Sequence, residues 1–190
     1  MVLALAVRLP YLFQSEYPLN DGGLFYQFVL DIQVANYRLP SFTSYNAIDQ
    51  IPFAYPPLAF YLTAVINDLF TLDLLNLVRW MPLFFNILAI VPAYSLLSRL
   101  LPSQRARIFA WSAYVMLYPG YFSFIMGGGL TRSLGTLFGL TALCFFYDGL
   151  FSGKAQQFLS AGFLLGLAGL THIEIGFLTA LIVILMVIFI

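Results

Sequence analysis

The charges in this chain are few, and they are spaced so that long apolar runs lie between them. Residues 80–98 separate Arg79 from Arg99 without a charge, and residues 108–131 do the same between Arg107 and Arg132. Crossing a bilayer takes about 20 mostly apolar residues, or about 17 at the short end. Three further runs come close: 133–147, followed by Asp148 and more apolar residues; 155–171, ending at His172; and 175–190. Residues 1–13 are apolar apart from Arg8 and too short to cross alone. The pattern predicts an all-α polytopic membrane protein, a bundle of about six transmembrane helices.

Composition excludes the other classes. Of 190 residues, 62% are hydrophobic and only 16 are charged, eight of each sign, with a mean hydropathy of +0.92. A soluble domain carries roughly 25% charged residues, and a disordered chain needs low hydrophobicity and high net charge. With zero net charge and no basic cluster, nothing would neutralise a run of phosphates, so no nucleic-acid partner is expected. One cysteine, Cys144, rules out a disulfide framework, and one histidine rules out a His-built zinc site within this chain.

The reading is a single membrane domain over 1–190: a partial first span at 1–13, an external loop at 14–76, and further spans over 77–190. The first span lacks about half its length, and the last stops without a cap or flanking charge, so the sequence reads as part of a larger fold. A signal peptide would carry its charge before the apolar core; here Arg8 comes late and Pro10-Tyr11-Leu12-Phe13 follows.

Residues 14–76 hold six of the eight acids, namely Glu16, Asp21, Asp31, Asp49, Asp68 and Asp73. Leu24, Phe25, Phe28, Ile32 and Ala35 recur at helical spacing, which predicts an amphipathic helix on the membrane surface. Asn20 or Asp21 would be its N-cap. Pro56 and Pro57 suit the first turn of a second helix reaching Phe70. Arg99, Arg105, Arg107 and Lys154 should be cytoplasmic. If the acidic segment lies outside, 80–98 is the single crossing between it and Pro102, and 56–70 is interfacial or re-entrant. Asp21, Arg132, His172 and Glu174 then share the external face.

Each candidate for chemistry has a structural alternative. Asp21, in Asn20-Asp21-Gly22-Gly23, is a general base at the membrane–water boundary or simply a helix cap. In Gly127-Gly128-Gly129-Leu130-Thr131-Arg132-Ser133, the glycines, Gly128 and Gly129 above all, let backbone N–H groups approach an anion, with a helix starting near Thr131. A cation at that positive helix end is unfavourable without an anionic partner, so Arg132 binds a lipid phosphate or snorkels to ordinary headgroups. His172 and Glu174 form a polar island at a span boundary. On one continuous helix, residues two apart point about 200° apart, so these two converge only if the helix breaks, which Gly169 and Gly176 permit. Arg8 pairs with Asp21, binds a phosphate or snorkels. Arg79 and Trp80 read as interface anchors, Asp148 as solvated, and Cys144 as a packing or lipid-facing residue. Gly135, Gly139, Gly162, Gly166 and Gly169 read as tight helix contacts.

The order Arg8-Leu9-Pro10, Asp21, Leu39-Pro40, Tyr55-Pro56-Pro57-Leu58 and Arg79-Trp80-Met81-Pro82 resembles the N-terminal part of GT-C-type integral membrane glycosyltransferases. These include protein O-mannosyltransferases, aminoarabinose transferases and oligosaccharyltransferase catalytic subunits. The resemblance covers roughly residues 5–175 on short motifs. It implies a cell-membrane enzyme that takes a sugar from a polyprenyl- or dolichyl-phosphate donor, on the external face, with Asp21 in the catalytic position. Beside that resemblance, the reading of the residues themselves makes Arg132, Gly128, Gly129, Thr131, Arg8, His172 and Glu174 the expected substrate-binding residues. Relatives with an Asp-x-Asp/Glu motif in the second external loop hold a metal; GGGLTRSLG stands there here, without a carboxylate. No cofactor and no metal-binding residue is expected, with dependence on a divalent metal left open. The acidic-basic pair before the Pro56 motif of aminoarabinose transferases is also missing, Phe53-Ala54-Tyr55 standing there. A transporter or flippase, or a non-catalytic membrane subunit, is the alternative.

Overall fold

The computed structural model describes residues 2–13, 16, 20–46, 48, 50–117, 121–126 and 129–189. Among them the chain is helical: α1 (Val2–Phe13), α2 (Gly22–Val34), α3 (Leu58–Phe70), α4 (Leu74–Leu100), α5 (Gln104–Met116), α6 (Phe122–Ile125), α7 (Gly129–Ser152), α8 (Ala155–Thr171) and α9 (Ile173–Phe189). The only extended pairing among these residues is an isolated bridge from Phe42 to Pro52.

Two helices are long and apolar enough to cross a membrane, α4 with 27 residues and α7 with 24. At 1.5 Å per residue they measure about 40 and 36 Å, against a hydrocarbon core of about 30 Å. These two long helices do not by themselves support a bundle of six spans. The run 108–131 is divided: α5 stops at Met116, and α6 and the start of α7 occupy its far end. The sequence between includes Pro119 and Gly120, residue types that disfavour helix interiors. Helices α8 and α9 have 17 residues each, about 26 Å. With 13 residues α3 reaches only about 20 Å.

Side-chain contacts fix the directions. Parallel packing of α4 and α7 follows from three contacts: Phe85 shares a core with Leu130 and Leu134, Cys144 Sγ donates to the Pro92 carbonyl at 3.3 Å, and Arg99 meets Asp148. Helix α1 runs antiparallel to α4, with Ala4 beside Ile90 and the Leu12 carbonyl accepting from Arg79 at 2.7 Å. The α5–α6 path also returns along α4, because Trp111 meets Tyr94 edge-on, Val115 packs with Ile90, and Ile125 packs with Leu83. Helix α8 folds back along α7, Phe158 lying against Gly149 and His172 against Gly135. Helix α9 turns again, placing Ile175 by Gly135 and Thr179 by Gly139.

The bundle therefore has two ends. Arg99, Arg105, Arg107 and Lys154 mark one; Arg79, Arg132, His172 and Glu174 mark the other. At the first, Asp148 is not simply solvated: both its oxygens accept from Arg99, each at 2.7 Å. Joining α4 to α7 this way offsets the cost of a charge near the apolar slab.

Helices α2 and α3 form a layer over the second end. Phe25, Phe28, Phe53 and Phe60 interlock with centroids 4.4–6.2 Å apart, and this core continues into Met81, Phe85, Leu130 and Leu134. The apolar stripe of α2 is thus buried in protein, not laid on headgroups, and this corrects the surface-helix expectation. Asp31 on its polar face accepts from Thr43, Gln27 and the Ser44 backbone and side chain, which tethers the following loop. Burial alone would raise that carboxyl, yet these hydrogen bonds outweigh it and hold it below the ordinary carboxylate range.

The glycines divide by environment. A Cβ on Gly139 would lie 2.6 Å from Thr179 Oγ1, and one on Gly176 only 2.5 Å from the Gly169 Cα, whereas Gly162 and Gly166 face open space. Gly176→Ala should therefore force α9 off α8 and cost about 1–3 kcal/mol. Gly162→Ala should stabilise by up to about 1 kcal/mol through helix propensity. Thermal unfolding in one detergent compares them, and equal midpoints would contradict the packing.

Candidate functional site

The site forms where α8 gives way to α9. Thr171 ends α8, His172 is extended (φ −153°, ψ 114°), and α9 starts at Ile173. The backbone approach of Gly176 to Gly169 lets the chain reverse within one residue. On this break His172 and Glu174 converge, which one continuous helix would prevent. Both line a pocket of about 210 Å³ whose other walls are Arg132, Ile173 and the Ala54-Tyr55-Pro56 segment.

Arg132 stands in the first turn of α7, where the helix dipole is positive. Its Nε donates to His172 Nε2 at 3.3 Å. The one ion pair among the described residues is Arg99–Asp148, so no carboxylate closes on Arg132. His172 is 4% exposed, and its Nδ1 has no hydrogen-bond partner among the described residues. Burial first, and the Arg132 charge second, push the imidazole pKa down, while Glu174 acts the other way. The Tyr55 ring meets the imidazole edge-on, centroids 6.1 Å apart. Sequence reading assigned Tyr55 no site role; its signal was the Pro-Pro helix start that follows it.

The remaining expected residues lie elsewhere. Gly129 opens α7, but its N–H already donates to the Met126 carbonyl, and a Cβ there would lie 2.0 Å from the Phe124 oxygen. This glycine serves the α6–α7 corner, with its N–H already engaged there. Thr131 is fully buried and is not in the pocket wall. Gly128 lies outside the described residues. Asp21 is exposed, just before α2, and its carboxylate makes no cap hydrogen bond. It does not line the pocket. It precedes Phe25 by one turn, and the Phe25 ring contacts Tyr55 at 5.2 Å.

Arg8 pairs with neither Asp21 nor a headgroup. At 1% exposure, it donates to Asn86 Oδ1 at 2.7 Å, to the Ala4 carbonyl at 3.1 Å and to the Val115 carbonyl at 2.9 Å. Its guanidinium sits 4.7 Å from the Tyr121 ring centre. A helix would satisfy the Val115 carbonyl with the N–H four residues on; that residue is Pro119, which has none. Arg8 thus serves a carbonyl that proline orphans and ties α1 to α4 and α5. Arg8→Met should cost about 1–3 kcal/mol through unpaired buried acceptors while leaving ligand affinity at the Arg132 pocket unchanged. Unfolding and ligand titrations on the same sample check both halves. Arg79, likewise, donates to the last turn of α1 at Leu12, and Trp80 stacks on Phe13.

No group of three or more His, Cys, Asp or Glu side chains that could hold a metal ion occurs among the described residues. In comparisons with known proteins, no family model, no curated protein and no solved structure matches this chain.

Proposed function

We propose that this chain is part of a multi-pass membrane glycosyltransferase that uses a polyprenyl- or dolichyl-phosphate sugar, with the Arg132 pocket as the donor-phosphate site. The observation that carries this reading is Arg132 itself, a guanidinium at a positive helix end, open to a pocket, with no carboxylate paired to it among the described residues. A phosphate leaving group needs cationic or N–H stabilisation as its charge grows. The acceptor hydroxyl or amine attacks the anomeric carbon, the carbon–oxygen bond to phosphate breaks, and lipid phosphate departs. Asp21 takes the acceptor proton.

The membrane setting is supported by α4 and α7 and by large apolar side chains exposed along α8 and α9, among them Leu159, Phe163, Phe177 and Ile188. Such contiguous faces suit lipid or neighbouring helices better than water. The test is turnover of a radiolabelled polyprenyl-phosphate sugar by the protein in nanodiscs and liposomes. Release of lipid phosphate with sugar on an acceptor supports the proposal. Movement of intact donor between leaflets indicates a flippase, a reading favoured by the broken α5–α6 path. Neither outcome indicates a non-catalytic subunit.

A further inference from the structure

We infer that the pocket takes up an oxyanion together with a proton, the anion lying between Arg132 and His172 and the proton going to His172 Nε2. This rests on the pocket being an anion site, as in the proposed function, but not on sugar transfer.

A hydrogen bond already joins the two side chains. Arg132 Nε is always a donor, so at 3.3 Å His172 Nε2 must be the acceptor. The imidazole is therefore neutral, with its hydrogen on Nδ1. Protonating Nε2 in the empty pocket would leave two donors facing each other and two positive charges adjacent. An oxyanion between them reverses both penalties, because it accepts from Arg132 Nε and from the new Nε2–H, and its charge offsets theirs. His172 is 4% exposed, so water screens the exchange weakly. The titratable groups facing the imidazole are Arg132 from α7, Glu174 from α9 and Tyr55 from the segment before α3; the last turn of α8 contributes none. Burial and Arg132 keep the empty-site pKa low, Glu174 opposing them, and a bound anion raises it. The complex then holds one more proton than the free protein. By linkage, affinity increases as pH falls between the two pKa values, by up to about tenfold per pH unit.

His172 is the chain's single histidine, so its imidazole resonances need no assignment. The probe is sulfate, which does not titrate between pH 5.5 and 8, added to protein with isotope-labelled histidine in phosphatidylcholine nanodiscs. A parallel arm uses discs doped with polyprenyl monophosphate, separating a free anion from a lipid headgroup. We expect the Nδ1–H tautomer without ligand and an upward shift of the imidazole pKa with either probe. A response to the doped lipid alone identifies the headgroup as the source. His172→Gln should bind sulfate with no pH dependence over this range, whereas a purely structural histidine would lower affinity equally at every pH. In Arg132→Gln the empty-site pKa should rise and the sulfate response vanish. An Nε2–H tautomer in the free protein, or an imidazole titration unmoved by both probes, would overturn the inference. Proton-linked binding without sugar transfer would leave it standing while removing the transferase reading.

Discussion

Replacing Asp21 with Asn should lower sugar transfer by about 100-fold or more with no change in unfolding temperature, the loss expected when a general base is removed. The structure sharpens this comparison. A side-chain cap at this position would contribute about 0.5–2 kcal/mol, but the Asp21 carboxylate makes no cap hydrogen bond. Only the Asp21 backbone carbonyl joins α2, accepting from Phe25 at 2.9 Å. Asp21→Asn and Asp21→Ala should therefore be equally stable and equally inactive, which a capping role does not allow. The carboxylate is exposed, as a group that meets an acceptor from the aqueous side must be. It does not line the Arg132 pocket, so donor binding should persist in both variants. Initial rates at saturating donor, with a thermal melt of each sample, decide the matter. Near-normal rates in Asp21→Asn would remove the base from the mechanism.

The punctuation of the sequence by charge located α8 closely, between Lys154 and His172, whereas α4 and α7 run past the charges that flank their apolar runs, α4 holding Arg79 and Arg99 and α7 holding Arg132 and Asp148. It did not place the end of α5 at Met116, which falls inside an equally charge-free run. Helix α2 illustrates a different limit. Its apolar stripe was legible, but periodicity reports that a face is buried without saying whether lipid or protein buries it. Phe53 and Phe60, far along the chain, supply the answer. Long-range polar pairs were invisible for the same reason: Asp148 finds Arg99, and Arg8 finds Asn86 and Val115, only after three helices have packed. The joint at His172 was legible as a condition, since convergence with Glu174 required a break and the flanking glycines allowed one. That Arg132 arrives at the same joint depends on α7 and α8 running antiparallel, and no local signal carries that.

Arg132→Ala should weaken donor use by about 1.5–3 kcal/mol, the range for hydrogen bonds to charged groups, or roughly tenfold to 150-fold in donor affinity. On the proposed mechanism acceptor KM should hardly move, because Asp21, the residue proposed to meet the acceptor, does not line the Arg132 pocket. Arg132→Lys should recover part of the loss: the charge remains, but the planar fork that can hold His172 on one edge and an oxyanion on another does not. The protein itself loses little in either variant. The one hydrogen bond broken runs to His172 Nε2 at 3.3 Å, a long contact, and the cation it removes lies at a positive helix end where its presence is unfavourable. If Arg132 only anchored α7 among headgroups, the pattern would invert, with donor kinetics intact and a small fall in stability. A donor titration in nanodiscs on wild type, Arg132→Ala and Arg132→Lys separates the two. Equal donor affinity in all three would refute the phosphate role, and with it the reason for placing the donor headgroup where α7, α8 and α9 meet.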